Sequence, residues 1–303
     1  MDTALLAKRV AKGDRQALAR SITVVENESP GVRRLLSSIK PRGQAFVLGL
    51  TGPPGTGKST LVDRLIELYR KTGLKVGVIA VDPTSPITGG ALLGDRIRMQ
   101  RHSADSGVFI RSMASRGWSG GLSRTTAQVI QLMDAAGFDL ILLETVGIGQ
   151  SDIEVVGVAH AVVVVLMPGM GDDVQTSKAG LMEVGDVYAV NKSDLEGADS
   201  TVVSLLSVVR TMKSRSPSVL KVSAMKGEGL ETLVQSIDAI RARFQRGDTE
   251  LLLRSARGMI LEMAKGDLLE RFTRSAEARA ERLAKDVVAG RMTINRAAAQ
   301  LTG

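Results

Sequence analysis

Nine consecutive residues carry the clearest chemistry: Gly52, Pro53, Pro54, Gly55, Thr56, Gly57, Lys58, Ser59 and Thr60. They fit the spacing G-x-x-x-x-G-K-[ST] in full. Glycines accept positive φ and carry no Cβ, so several backbone N–H groups can converge on one polyphosphate. The apolar stretch Ala45–Leu50 reads as a buried strand before the loop, and Leu61–Tyr69 as the helix after it. The helix N-terminus adds its partial positive charge. Lys58 is suited to the β- and γ-phosphates, and the Ser59 hydroxyl to Mg²⁺. Together these residues point to a nucleoside triphosphate.

Base choice is written further along. Asn191, Lys192, Ser193 and Asp194 follow the apolar run Val187–Val190. A carboxylate at Asp194 can accept from guanine N1–H and from the 2-amino group. Adenine offers no such pair and would leave the acid unsatisfied. Asn191 and Lys192 would brace the loop and cover the base. Ser223, Ala224 and Met225 end the next apolar run, where a backbone N–H can meet guanine O6; a plain turn fits the same three residues. Ligands are therefore expected to be GTP and GDP with Mg²⁺.

Four further positions are candidates for metal binding or catalysis. Glu144 closes the run Leu140–Leu143 and faces the Mg²⁺ shell, and the Gly147 N–H can sense the γ-phosphate. Asp82 closes a second strand. Asp95 opens a later helix, where it also fits a simple N-cap. Either could hold a Mg²⁺ water or orient the attacking water.

The chain must supply elements that bring these loops together. Near-continuous Val/Ile/Leu runs at Ala45–Leu50, Lys75–Val81, Val108–Met113, Leu140–Leu143, Ala161–Met167, Val187–Val190 and Val219–Val222 read as strands buried on both faces. Helical patterns alternate with them at Gly121–Ala136, Ser177–Val184, Ser200–Lys213 and Leu230–Phe244. The expected fold is therefore α/β, a doubly wound, mostly parallel sheet, with every motif above at a strand's carboxyl end. Residues 2–19 read as helical with a restart at Asp14, and Ser29-Pro30 as N-cap and first turn of a helix through Ser38. Beyond Arg246, Glu250–Lys265 and Asp267–Ala289 read as two amphipathic helices stopped by Gly266 and Gly290, followed by a short helix Thr293–Leu301. The expected organisation is an N-terminal helical segment 1–42, a nucleotide-binding domain 43–246 and a C-terminal helical segment 247–303.

Composition removes several alternatives. The 303 residues include no cysteine and two histidines, His102 and His160. Disulfides, thiolate metal sites and Cys nucleophiles are thereby excluded. His160 beside an apolar strand reads as a core residue. The net charge of +8 is spread among acidic residues, and aromatic residues make up 3% of the chain, so no nucleic-acid partner is expected. The longest apolar run, around Val155–Met167, is shorter than the roughly 20 residues that span a bilayer. The first residues show no signal-peptide pattern, and a cytoplasmic location without membrane association is expected.

As a set, several motifs resemble one family. They are Asp82-Pro-Thr-Ser-Pro, Thr88-Gly-Gly, Gly94-Asp-Arg, Arg116-Gly117 with Gly120-Gly121-Leu122, Glu144-Thr-Val-Gly-Ile-Gly-Gln-Ser151, Pro168-Gly-Met-Gly-Asp-Asp173 and Asn191-Lys-Ser-Asp194. This set is similar to the MeaB/ArgK-type P-loop GTPases, the G-protein chaperones of adenosylcobalamin-dependent methylmalonyl-CoA mutase. The resemblance implies GTP hydrolysis that is slow alone and faster with the mutase, and coupling of GTP to cofactor loading or protection on that acyl-CoA mutase. It also implies a homodimer made through the C-terminal helices. Asp82, Asp95 and Glu144 match the family's acidic site positions. Asp172, Asp173, Gln175 and Lys178 fall in a segment matching a family switch, although Val174 and Thr176-Ser177 depart from the family's form. A metallochaperone GTPase and a small-molecule P-loop kinase are the alternatives. The first needs metal-relay residues that a cysteine-free chain lacks, and the second leaves Asp194 without a purpose.

Overall fold

Alternate residues of the central strand feed two different cores, which makes the sheet doubly covered. The computed structural model describes residues 2–27, 29–82, 100–114, 125–145, 147, 157–170, 179–212 and 217–302. Within them the strands are β1 (Phe46–Thr51), β2 (Val76–Asp82), β3 (Val108–Ala114), β4 (Leu140–Glu144), β5 (Ala161–Leu166), β6 (Val187–Val190) and β7 (Ser218–Lys221). The helices are α1 (Thr3–Ala11), α2 (Arg15–Glu26), α3 (Val32–Ser38), α4 (Lys58–Lys71), α5 (Thr125–Ala135), α6 (Ala179–Val184), α7 (Ala198–Arg210), α8 (Leu230–Gln245), α9 (Thr249–Val288) and α10 (Ile294–Thr302). Phe46, Leu48 and Leu50 pack with Leu61 and Leu65 of α4 and Leu233 and Ile237 of α8. Val47 points the other way, into a core shared with Leu18 and Ile22 of α2 and Val129 and Met133 of α5. This period-two division requires helices on both faces, and the residues of β1 are buried throughout.

The strand order is β3-β2-β4-β1-β5-β6-β7 and all pairings are parallel. The expected fold class is thus what the chain adopts. β1 sits between β4 and β5, so the chain winds outward to both sides of it. That reversal is where α/β sheets open a crevice at the carboxyl ends of their strands. Register places Glu144 opposite Leu50 and Val164 opposite Thr51. The residues following β1, β4, β6 and β7 therefore emerge at one end of the sheet.

At the N-terminus the chain forms two helices, with the expected restart at Asp14. Gly13 takes φ +78° and Asp14 caps α2, accepting from the Ala17 N–H. The second helix runs on to Glu26, beyond the expected end. Ser29 is not the cap of α3: its carbonyl accepts from the Val32 N–H in a turn, and Gly31 at φ +98° is the residue that launches the helix. Leu6, Val10, Leu18, Ile22, Leu35 and Ile39 of this region join the same core as the sheet.

The C-terminal expectation needs a larger correction. Residues 249–288 form one continuous helix of 40 residues, and Gly266 does not stop it. A glycine inside a helix costs only about 1 kcal/mol relative to Ala. A stop needs the left-handed conformation. Gly290 has it, at φ +70°, and ends α9, whereas Gly266 does not. α9 and α10 form a helical hairpin, with Arg279 Nη2 donating to Gln300 O at 2.6 Å. Near its start α9 is seated on the sheet: Arg254 pairs with Asp186 and donates to His160 O. Gly258 lies against Gly157, where a Cβ would fall 1.6 Å from the Gly157 oxygen. No helix among the described residues is long and apolar enough to cross a membrane.

Candidate functional site

The phosphate loop joins β1 to α4, and its shape depends on three glycines in the left-handed region. Gly52, Gly55 and Gly57 have φ of +138°, +80° and +89°. Two of them also need to lack a side chain. A Cβ on Gly52 would sit 2.0 Å from Val165 O, and one on Gly57 would sit 2.4 Å from Asn191 Nδ2. α4 begins at Lys58, one turn before the expected Leu61, so the first N–H groups of a fourteen-residue helix lie at the loop. Pro53 and Pro54 complete the turn, and the Thr56 hydroxyl donates to Pro53 O at 2.9 Å. Thr60 continues the helix behind Ser59. The Lys58 ammonium is buried and donates to Gly52 O at 2.8 Å and Pro53 O at 3.0 Å. Its charge is thus fixed over the loop rather than extended into solvent.

The end of β4 and the turn after it meet this loop. Ser59 Oγ donates to Glu144 Oε1 at 2.7 Å, and Glu144 is 3% exposed. Gly147, three residues on, has φ +83°; a Cβ there would fall 2.2 Å from Gly52 O and 2.7 Å from Lys58 Nζ. The structure therefore brings Gly147 against both the loop and its lysine. The backbone of Asp82 ends β2, paired with Ala114. Asp95, Asp172, Asp173, Gln175 and Lys178 lie outside the described residues.

The donor set suits Mg²⁺. A hydroxyl and a carboxylate are hard oxygen ligands, and both stand at a helix N-terminus built for phosphate. No group of three or more His, Cys, Asp or Glu able to hold a metal occurs among the described residues.

The residues expected to read the base sit beside the same loop. Asn191 is 2% exposed and bridges two segments: its Nδ2 donates to Thr56 O at 2.8 Å, and its Oδ1 accepts from Ala224 N–H at 3.0 Å. Lys192 follows at φ +56°, the one described non-glycine residue with positive φ. This sharp turn lets the Ser193 N–H reach Val222 O at 3.0 Å and places Lys192 Nζ 3.8 Å from Met167 Sδ. Asp194 then faces the neighbouring turn, where Ser223 Oγ donates to its Oδ1 at 2.7 Å. That hydrogen bond, with the residue's own N–H and the Lys226 charge, holds the Asp194 carboxyl below its ordinary range. An ionised acid oriented by a serine is a ready double acceptor. Met225 is exposed at the tip of the turn.

The cleft of about 1120 Å³ between α8, α9 and the amino ends of β6 and β7 is at the opposite end of the sheet. Sequence reading also passed over Arg64 on α4, which donates from Nε to Ala224 O at 3.0 Å and from Nη2 to Met225 O at 3.4 Å. No motif marks it, because a lone arginine on an amphipathic helix has no sequence signature.

A glycine-built phosphate loop and an acidic strand end at the carboxyl edge of one parallel sheet are the frame of a P-loop GTPase. The model of the family described as methylmalonyl Co-A mutase-associated GTPase MeaB matches residues 18–277, and the chain belongs to that family. A Pyrococcus abyssi protein named as a GTPase is 52% identical over 248 residues, covering 80% of this chain and 76% of that one. GTPase ArgK of Escherichia coli is 38% identical over 76% of this chain and 73% of its own. The mitochondrial methylmalonic aciduria type A homolog of Mus musculus is 36% identical over 73% of this chain and 59% of its own. Among solved structures, a LAO/AO transport system kinase superposes with a TM-score of 0.73 at 26% identity, covering 99% of this chain and 96% of that one. The nickel-bound HypB of Helicobacter pylori shares the fold, with a TM-score of 0.51 at 15% identity over 73% of this chain and 95% of its own. The chain is a GTPase.

Proposed function

We propose that this GTPase couples its nucleotide state to the loading or protection of adenosylcobalamin on an acyl-CoA mutase of the methylmalonyl-CoA mutase type. The observation that carries the GTP half is the Asn191 bridge, which clamps the phosphate loop to the turn facing Asp194. One rigid unit then grips the polyphosphate and reads the base. The mutase half is supported by the family to which the chain belongs.

In this reading the N–H groups of residues 52–60 and the Lys58 ammonium hold the phosphates. Ser59 would hold Mg²⁺ directly, and Glu144, Asp82 and Asp95 would hold it through water or orient the attacking water. When bound, Mg²⁺ would neutralise charge on the phosphates. Gly147 reports the γ-phosphate through its N–H. Asp194 accepts from guanine, with Asn191, Lys192, Ser223, Ala224 and Met225 shaping the pocket. Asp172, Asp173, Gln175 and Lys178 relay the state to the mutase. Hydrolysis is slow alone and faster with the mutase bound. The long helix α9 presents exposed Leu253, Ile260, Leu261 and Leu268, an apolar stripe that supports a homodimer through segment 247–303. The sequence has no cysteine, which weighs against a metal-relay role like that suggested by the HypB fold.

The test is a titration of the GTPase with purified methylmalonyl-CoA mutase. The expected result is a complex whose stability differs between GDP and a non-hydrolysable GTP analogue, together with a faster hydrolysis rate. No complex and no change in rate would reject the mutase assignment and leave the GTPase itself untouched.

A further inference from the structure

The residue that completes the guanine pocket lies on the phosphate helix. We propose that Arg64 is a positioning residue for base recognition, holding the turn Ser223-Ala224-Met225 so that Ser223 can orient Asp194. This inference rests on the assignment of Asp194 to guanine. Arg64 falls six residues after Lys58 on α4, whose first turn faces the phosphates. Each of its three nitrogens donates: Nε to Ala224 O at 3.0 Å, Nη2 to Met225 O at 3.4 Å, and Nη1 to Glu67 Oε2 at 3.0 Å. A guanidinium can serve three acceptors in one plane in this way and an ammonium cannot.

The peptide groups on either side of the Ala224 Cα are thus held from opposite directions. The Ala224 N–H goes to Asn191 Oδ1 and its carbonyl to Arg64. Ser223, immediately before, donates to Asp194. Met225, immediately after, is exposed and has no packing to fix it. Without Arg64 the turn would keep the Asn191 bond and its closing bridge between Ser223 and Glu228. It would also keep the Gly227 N–H bond to Ser223 O, and would lose the side-chain donors to the Ala224 and Met225 carbonyls. The fork itself is braced, since Glu67 also pairs with Arg101 at 2.6 Å, and Asp63 holds both Arg101 and His102. One helix therefore presents cationic and amide groups to the phosphates from its first turn and fixes the base turn from its second.

The effect belongs to the guanine 2-amino group. An Asp194 carboxylate rotated off its line loses the acceptor for that group first, and inosine nucleotides lack the group. The experiment is calorimetry with GDP, IDP, XDP and ADP plus Mg²⁺ on the full chain, for wild type, Arg64→Met, Arg64→Lys and Asp194→Asn. Removing two charge-assisted bonds from a half-buried turn is expected to weaken GDP about tenfold in Arg64→Met. IDP and ADP should change by less than about threefold, so the GDP-to-IDP ratio shrinks. Arg64→Lys should be intermediate, and it carries the test if Arg64→Met does not fold. In steady-state hydrolysis the change should fall on KM rather than kcat. Equal weakening of GDP, IDP and ADP, or an unchanged GDP affinity, would overturn the proposal. The Asp194→Asn arm is separate: it should transfer preference to XDP, and retained GDP preference there would overturn the guanine reading itself.

Discussion

The Ser59 hydroxyl donates to Glu144 Oε1 across 2.7 Å, joining the first turn of α4 to the last residue of β4. Sheet register causes this contact, because Glu144 stands beside Leu50 at the end of the strand that leads into the loop. Both side chains are buried. A hydroxyl that ligates Mg²⁺ can keep donating to a carboxylate, because ligation uses an oxygen lone pair and donation uses the proton. Ser59→Ala should therefore leave GDP affinity in EDTA within about threefold and remove most of the gain that Mg²⁺ brings. Glu144→Gln should lower the hydrolysis rate by roughly 10²-fold while GDP binding falls far less. Calorimetry with and without Mg²⁺, alongside single-turnover hydrolysis, checks both; an unaltered Mg²⁺ dependence in Ser59→Ala would contradict the ligand assignment.

Gly147 tests the other contact with the loop. Its φ of +83° disfavours any side chain, and a Cβ would collide with Gly52 O at 2.2 Å. Strain and collision act together, so Gly147→Ala should weaken GTP by about 10²-fold or more, with a smaller effect on GDP. Binding of GDP and a non-hydrolysable GTP analogue to the variant measures this. Equal loss for both nucleotides would remove Gly147 as a reporter of the γ-phosphate.

His160 gives stability a pH dependence. It lies between Phe46 and Phe244, with ring centroids 5.8 and 4.3 Å away, and its Nδ1 accepts from the Val47 N–H at 2.9 Å. Burial first, then the Arg254 charge, pushes its pKa from 6.5 down to about 4, against a smaller opposing pull from Asp134. The unfolded chain regains the ordinary value. Between pH 6.5 and 4 it therefore binds a proton that the native chain refuses, and stability falls as pH falls through that window. The expected loss from this group is about 2 kcal/mol by pH 5. Urea denaturation at pH 7.5 and pH 5 should show a smaller loss in His160→Phe than in wild type. An identical loss in both would assign the acid sensitivity elsewhere.

The stripe on α9 carries the oligomer prediction. Leu253, Ile260 and Leu268 are 64%, 66% and 66% exposed, at helical spacing on a helix of 40 residues. Light scattering should give about twice the 32.1 kDa chain mass. Leu253→Asp combined with Ile260→Asp should return it to the chain mass at micromolar concentration while the nucleotide affinity holds. A monomer at every concentration of the unaltered chain would end the dimer reading.

Much of this was legible because period and motif agree. The all-apolar runs dictated a buried parallel sheet, and loop chemistry at the strand ends located Lys58, Ser59, Glu144 and Asn191 before any geometry was known. Local signals failed where competition between weak terms decides. Gly266 looked like a stop, but about 1 kcal/mol of propensity is easily outweighed by good helix formers on both sides. Gly31 replaced Ser29 as the launch of α3 because a left-handed residue redirects the chain more firmly than a cap does. Arg64 was invisible because its partners are carbonyls some 160 residues away, and any residue type can present a carbonyl. Asp134 was hidden for a related reason: its carboxylate accepts from the N–H groups of Gly43, Gln44 and Ala45, which set the start of β1.

The most direct test compares GTP and ATP binding by the unaltered chain with Mg²⁺ at neutral pH. An oriented, ionised Asp194 beside a preformed phosphate loop predicts GTP tighter by at least about 10²-fold, since adenine has no matching N–H pair to donate to that carboxylate. Equal affinity for the two nucleotides would contradict the account.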